Sequence, residues 1–240
     1  MRGIVAGLSV ALLTAVPVMA QDNEDAIPLV TVQGDAELHA APDLAIVGLG
    51  VEAQEETADV AQQRVNGAAD AVYEAIAGAG IPSEAIQTTG LSLSPVYSQP
   101  GPRGGGDRRL IGYRAQNVVQ VRITDMERVG PVLDAGLAAG ANRVDGIQFS
   151  LQDDAALRRQ ALTQAVAEAR AKAETIAEAM GVTLASVHSV QEGGVSVQPV
   201  YARAEMMQMA ADMATPVAAG QVGVSAHVTV QYRIGDGGGR

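Results

Sequence analysis

The sequence of 240 residues contains no cysteine and no tryptophan, and its one phenylalanine is Phe149. Without cysteine, the protein cannot form disulfide bonds, thiolate metal sites or a cysteine nucleophile. Aromatic residues are 2% of the chain and hydrophobic residues 48%, so the core must consist of small aliphatic side chains. Basic residues are also few, because 16 Lys and Arg stand against 27 Asp and Glu, giving a formal net charge of −11. This acidity argues against nucleic acid or anionic lipid as a partner.

The sequence also lacks an apolar run long enough to span a bilayer, which takes about 20 residues. A shorter apolar run at residues 4–16 follows Arg2 and precedes a small-residue motif that ends at Ala20. This order is typical of a secretory signal peptide. We therefore predict a signal peptide at residues 1–20, cleaved after Ala20, export to the periplasm, and no transmembrane segment in the mature chain. A retained N-terminal anchor is the alternative, and peripheral contact with the outer membrane stays open.

Hydrophobic periodicity predicts a series of regular elements that form one domain over residues 29–235. Alternation of apolar and polar residues predicts strands at residues 29–38, 44–54, 86–97, 111–123, 144–151, 184–191 and 222–234. Helical spacing predicts helices at residues 58–79, 125–139 and 155–180. Residues 21–28 are predicted to be a polar linker, residues 192–219 a flexible insertion without periodicity, and residues 236–240 a disordered tail.

The ends and buried faces of the helices follow from the same patterns. Thr57 is expected to cap the first helix and Asp153 or Asp154 the longest. Pro131 is expected at the first position, N1, of the short helix, whose main body would begin near Gly130. Glu168 and Lys172 are spaced as an i,i+4 ion pair on the outside of the longest helix. The buried faces of the first and longest helices are predicted to comprise Ala61, Val65, Ala68, Val72, Ile76 and Ala79, and Leu157, Ala161, Ala165, Ala169, Ala173, Ile176 and Met180.

The order of the elements indicates the fold class. The chain runs β-β-α-β-β-α-β-α-β-β, and residues 44–151 within it follow the βαββαβ order of a split βαβ unit. The last strand alternates strictly between apolar and polar residues, as expected for a strand with one buried face. We therefore predict an α+β fold, in which helices pack on one face of a mainly antiparallel sheet.

Four methionines inside the predicted insertion form the sharpest local cluster. Thioether sulfurs can ligate Cu(I) in an exported protein, but the segment contains no histidine or cysteine to complete such a site. Methionine also adapts well to irregular apolar surfaces, so an apolar flap or an oligomer contact is the stronger explanation. The candidate copper ligands are Met206, Met207, Met209 and Met213.

No other constellation points to catalysis, a cofactor or a metal. His39, His188 and His227 stand singly and lack the spacing of a zinc site. The glycines at residues 104–106 lack the lysine of a P-loop, and serines such as Ser92 have no evident histidine partner. A hydrolase would need a polar cluster that the fold assembles from distant residues. We predict no enzyme activity, no cofactor and no catalytic residue.

Six stretches carry modest motifs that are specific when taken together and in order. They are residues 34–51 (GDAELHAAPDLAIVGLGV), 80–97 (GIPSEAIQTTGLSLSPVY), 111–125 (IGYRAQNVVQVRITD), 140–153 (GANRVDGIQFSLQD), 161–181 (ALTQAVAEARAKAETIAEAMG) and 216–234. In this order they resemble the SIMPL-domain family of bacterial periplasmic and envelope proteins. The resemblance implies export, an α+β fold and, for some members, assembly into large hollow oligomers and a link to oxidative-stress defence. It carries over no catalytic residues.

These observations lead to two functional hypotheses. The first is a non-catalytic periplasmic envelope protein that acts through homo-oligomeric assembly, with a link to oxidative-stress defence. The alternative is a periplasmic binding module that takes a hydrophobic small molecule or copper through the Met-rich segment.

Overall fold

A computed structural model describes residues 27–98, 108–200 and 217–236 of the chain. The predicted signal peptide, the four clustered methionines and the last residues of the predicted tail lie outside these ranges. The strands are β1 (Leu29–Ala40), β2 (Leu44–Glu55), β3 (Ile86–Tyr97), β4 (Leu110–Ile123), β5 (Arg143–Ser150), β6 (Val182–Val200) and β7 (Gln221–Asp236). The helices are α1 (Ala58–Gly78), α2 (Val129–Ala138) and α3 (Ala155–Met180), with 3₁₀ turns at Ser83–Ala85 and Met126–Arg128.

The predicted α+β class and the predicted order of elements are confirmed. The strands divide between two antiparallel sheets, with the orders β3-β4-β2-β5 and β1-β7-β6. The four-stranded sheet contains the predicted βαββαβ unit, in which β4 lies between β2 and β3. Within the described ranges, no helix is long and apolar enough to cross a bilayer.

The four-stranded sheet is covered on one face by α1 and α2. Thr57 accepts a hydrogen bond from the Val60 N–H at 3.4 Å, so the predicted cap of α1 is confirmed. The core between helices and sheet is aliphatic, and its largest fully buried side chains include Leu49, Ile76 and Ile123. Small side chains permit this close contact.

Among the described elements, α3 is the helix that covers the three-stranded sheet, and it does so through a line of alanines. Ala161, Ala165, Ala169 and Ala173 are buried in one cluster with residues of β1 and β7, and Ala177, one turn further along, is also buried. At the closest approach a Cβ on Gly34 would overlap the Ala165 carbonyl oxygen and lie 2.8 Å from Ala169 Cβ. Only glycine fits there, because the backbones of helix and strand are in direct contact.

Several predicted details need correction. Ile176 and Met180 are 37% and 62% exposed, whereas Ala177 is buried. The buried line follows every fourth residue, so it rotates about 40° around a helix of 3.6 residues per turn at each step and leaves those two side chains outside. In α1, Ala69 is buried in place of the predicted Ala68, which is only half-buried.

The strand β6 is longer than predicted. The predicted insertion starts at residue 192, but residues 192–200 continue β6 and pair with β7. The alternation was hidden because a register shift lies between Glu192 and Gly194, which reverses the faces of the following residues. Residues 201–216, the rest of the predicted insertion, lie outside the described part of the chain.

The short helix begins differently from the prediction. Residues 126–128 form a 3₁₀ turn that Asp125 caps, because its carboxylate accepts a hydrogen bond from the Glu127 N–H at 3.1 Å. The helix proper starts at Val129, so Pro131 is its third residue. This position is tolerated because the first N–H groups of a helix have no partner within the helix.

Candidate functional site

The outer edge of β1 is closed by α3. Glu168 accepts a hydrogen bond from the Asp35 N–H, and Lys172 donates one to the Gln33 carbonyl at 2.9 Å. The two side chains are also paired to each other, at 3.0 Å, as the sequence predicted. The Asp35 N–H and then Lys172 lower the pKa of the Glu168 carboxyl. The ion pair therefore satisfies peptide groups that β7 cannot reach, and it blocks the edge against another strand.

The edge formed by β3 has the opposite character. Between Ile86 and Tyr97 it contains no charged residue. Leu91 and Leu93 are 63% and 45% exposed on it. An exposed edge strand without charges is a ready template for another strand, and most proteins protect such edges.

Exposed apolar side chains continue from β3 along the β3–β4 hairpin. Tyr97, Leu110 and Ile111 are each close to half exposed. The Arg108 guanidinium lies 5.7 Å from the centre of the Tyr97 ring, in the range of a cation–π contact. We call the set Leu91, Leu93, Tyr97, Leu110 and Ile111 the β3–β4 apolar surface.

A polar pocket of about 500 Å³ lies on the three-stranded sheet, lined by residues of β1, β6 and β7. Asp35 and His227 are cross-strand neighbours, and the Asp35 Oδ1 to His227 Nδ1 distance is 2.5 Å. Ser196 and Ser225 face each other across β6 and β7, with their hydroxyl oxygens 2.8 Å apart. The fold has brought together an acid, an imidazole and two hydroxyls from distant parts of the chain.

A glycine bulge in β6 makes room for the imidazole. Gly193 is the extra residue of the bulge, and Gly194 has φ of +107°. A Cβ on Gly193 would lie 2.6 Å from His227 Cδ2. Sequence reasoning missed this site because His227 was considered alone; a Gly-Gly pair within a strand pattern is the signal that indicates a bulge.

The chemistry open to this pocket is limited by its contacts. The Asp35 carboxylate can accept a hydrogen bond from the Nδ1–H of a neutral His227, and in that tautomer Nε2 is a hydrogen-bond acceptor. Within the described residues, however, the two serine hydroxyls bond to each other and neither is within hydrogen-bond distance of His227. The pocket can thus hold a small hydrogen-bonding ligand, but it lacks the nucleophile–base contact of a serine hydrolase.

The three histidines each have a different neighbour, and His39 and His188 lie outside the polar pocket. His39 lies 3.8 Å from Glu37, and His188 lies 3.5 Å from Arg233. Among the residues that the structure describes, no group of three or more His, Asp and Glu side chains could hold a metal ion. The candidate copper ligands Met206, Met207, Met209 and Met213 lie outside the described residues.

The acidic pair at the start of α3 has a capping role. Asp153 Oδ1 accepts a hydrogen bond from the Ala155 N–H at 2.9 Å. Asp154 pairs with Arg158 at 2.7 Å, and this contact lowers the pKa of the Asp154 carboxyl. Arg158 also donates to the Val195 carbonyl at 2.9 Å, so the first turn of α3 is bound to β6.

Comparison with known proteins extends over nearly the whole described chain. The 26 kDa periplasmic immunogenic protein of Brucella melitensis is 31% identical over 227 residues, covering 92% of this chain and 91% of that protein. YggE of Edwardsiella ictaluri is 29% identical over 172 residues, covering 72% and 71%. YggE of Escherichia coli K12 is 26% identical over 211 residues, covering 87% and 82%. The sequence model of SIMPL, described as a protein of unknown function (DUF541), matches residues 30–232. The chain belongs to the SIMPL family.

Proposed function

We propose that this chain is a non-catalytic protein of the periplasm that acts through homo-oligomeric assembly. The observation that carries the proposal is the β3–β4 apolar surface, which includes an uncharged strand edge. Strand edges and exposed apolar patches are the two features by which β proteins associate. The hydroxyl and imidazole groups of the polar pocket supply no nucleophile–base pair, which is consistent with a binding or structural role.

The periplasmic location is supported by two observations. The predicted signal peptide precedes residues 30–232, which the family model matches, and a relative whose match covers 92% of this chain is named a periplasmic protein. Fractionation of cells that express the full chain should place a product shortened at Ala20 in the periplasmic fraction. A full-length product in the membrane fraction would show a retained anchor instead.

The assembly is tested by light scattering coupled to gel filtration on residues 21–240. The expected result is a particle of several times the chain mass, which dissociates on dilution or in low concentrations of urea. A particle with the mass of one chain at every concentration studied would reject the proposal. The measurement needs no ligand and no activity assay.

The proposed link to oxidative-stress defence comes from the family resemblance and is tested in cells. A strain without this protein should lose viability in hydrogen peroxide, and a plasmid copy should restore it. If assembly is the active form, a copy that cannot assemble should fail to restore viability although it reaches the periplasm in equal amount.

A second candidate function is a binding module for a hydrophobic small molecule or copper. It is favoured by an open cavity of about 590 Å³ on the face of the four-stranded sheet opposite α1 and α2, lined in part by Ile46, Val118 and Pro199. Pro199 stands two residues before residues 201–216, the segment that contains Met206, Met207, Met209 and Met213. If copper is the ligand, replacing all four methionines with leucine should abolish uptake of Cu(I). Binding of a fluorescent apolar probe should be preserved in the same variant. Unchanged Cu(I) uptake would exclude the copper hypothesis.

A further inference from the structure

We propose that β3 pairs with β3 of a second copy, antiparallel and about a two-fold axis at Ser92. The two four-stranded sheets would then form one continuous sheet of eight strands. This inference rests on the proposed homo-oligomeric function and names the surface that produces it.

The other three strand edges of the described residues are less suitable for pairing. The edge of β1 is occupied by Glu168 and Lys172. The edge of β6 is broken by three shifts of register and carries Glu192 and Pro199. The strand β5 is eight residues long and charged at its start, where Arg143 pairs with Asp145 at 2.5 Å. Bulges, charges and proline are the usual devices that keep an edge from pairing. The β3 edge also has two register shifts and Pro95, but it has no charge, and its register is unbroken from Gly90 to Val96.

Charge favours β3 of a second copy as the occupant of the edge. The chain has a formal net charge of −11, so two copies repel each other over most of their surfaces. The β3 edge contributes no charge of its own, and repulsion between copies is weakest where two such edges meet. A partner that met this edge with acidic or basic groups would have to desolvate them without compensation. The occupant is therefore an uncharged strand, and β3 of another copy fits this description.

The position of the axis follows from the peptide groups of β3. Register is continuous from Gly90 to Val96, between two shifts. Pro95 has no N–H to donate to β4. A proline on an edge strand takes a position whose backbone groups face away from the neighbouring strand, so Pro95 faces outward. By alternation, Leu91 and Leu93 also point their N–H and carbonyl groups outward.

An axis at Ser92 makes this edge self-complementary. Leu91 of one copy then lies opposite Leu93 of the other, and the reverse, which gives four hydrogen bonds between the two strands. Leu93 lies opposite the buried Ala115, so both leucines are on the helix-covered side of the sheet. Their side chains meet across the axis and remove from water the two exposed leucines of each β3.

The absence of cysteine makes a direct test available. In a Ser92→Cys variant the two thiols would be on the axis, with Cα atoms about 4.5–5.5 Å apart, within the range of a disulfide. In a Ser94→Cys variant they would be offset by four residues, roughly 14 Å along the strand, which is too far. After mild oxidation, Ser92→Cys should form covalent dimers and Ser94→Cys should not. Cross-linking of Ser94→Cys with none in Ser92→Cys would contradict the proposed axis.

Charge substitution supplies a second test. The double variant Leu91→Lys with Leu93→Lys should lower the particle mass at least twofold. In the proposed pairing each introduced lysine would face a lysine of the other copy, and the like charges would repel. The matched control is Leu137→Lys on α2, where the leucine is 41% exposed and the particle mass should not change. Circular dichroism of each variant would verify that it is folded.

The outcomes separate this inference from the proposed function. If light scattering finds only monomer for the native chain, both are rejected. A second outcome is that the native chain assembles, Ser92→Cys forms no covalent dimer, and the double lysine variant keeps the native particle mass. The β3 pairing is then rejected, and assembly through another surface stands.

Discussion

In the three-stranded sheet, α3 runs along β1 and places Glu168 and Lys172 against the outer edge. In the four-stranded sheet, α1 and α2 lie over β2 and β4, and none of the elements that the structure describes covers the edge of β3. Both sheets are antiparallel and both use small aliphatic cores. The two sheets therefore differ at their edges: α3 protects the edge of β1, whereas no described helix protects the edge of β3.

The alanine line of α3 is what permits the protection of β1. Because Ala165 and Ala169 have short side chains, the helix approaches Gly34 closely enough for Glu168 to reach the Asp35 N–H. A bulkier contact would lift the helix and move that carboxylate away from the strand. Close packing and edge protection are thus coupled in this sheet.

The largest effect should come from Gly34→Ala. The added Cβ would overlap the Ala165 carbonyl, so α3 must shift, and we expect a loss of about 3 kcal/mol in the free energy of unfolding. Urea denaturation followed by circular dichroism measures this loss.

The control is Gly67→Ala in α1, where a Cβ meets nothing within 4 Å. Alanine is the better helix former, so this variant should be about 0.5–1 kcal/mol more stable. A Gly34→Ala variant as stable as the native chain would show that the contact between α3 and β1 is looser than described.

A smaller effect is expected at the bulge that makes room for His227. Gly193→Ala should displace the imidazole from Asp35 and cost about 1 kcal/mol, since a side chain can rotate away more easily than a backbone. In a His227→Ala background the same substitution should cost less, because only the close contact with the carbonyl oxygen of residue 227, at 3.2 Å, would remain. A double-mutant cycle by urea denaturation tests this coupling, and additive losses would contradict it.

Removal of the edge protection should act on β1 rather than on the whole fold. Glu168→Gln with Lys172→Met should accelerate hydrogen exchange of the Asp35 amide and raise the tendency to aggregate. The matched control removes Arg170 and Glu174, an exposed i,i+4 pair of α3 at 2.8 Å for which the described residues of β1 provide no hydrogen-bond partner. If both double variants behave alike, the pair on β1 protects no edge.

The smallest expected effect is on the dependence of stability on pH. The pKa of Glu168 is lowered in the folded state, first by the Asp35 N–H and then by Lys172. This carboxyl therefore stabilises the fold above its ordinary pKa of 4.5, and the contribution is lost as the pH falls through the lower folded value. Glu168→Gln should flatten the thermal-stability curve below pH 4.5 relative to the native chain. An unchanged curve would contradict the assigned bond.

Local signals in the sequence predicted much of the fold. Thr57 caps α1, and Gly181 ends α3 with φ of +68°. The strict alternation of β7 is confirmed, with residues from Val222 to Tyr232 buried at every second position. These predictions succeeded because caps and alternation depend on neighbouring residues only.

Features that depend on distant residues could not be predicted. Alternation shows which face of a strand is buried but not which strand lies beside it, so the division into two sheets was missed. The pairing of Asp35 with His227 joins residues 192 positions apart. The extension of β6 was missed because the bulge at Gly193 interrupts the alternation by one residue.

The most direct test of the difference between the two edges is hydrogen exchange of individual amides at two protein concentrations. We expect the Leu91 and Leu93 amides to become protected as the protein assembles, and to exchange rapidly when it is diluted. The Asp35 amide, which is bonded to Glu168 within the same chain, should be protected equally at both concentrations. Rapid exchange of Leu91 and Leu93 in the fully assembled particle would contradict the account.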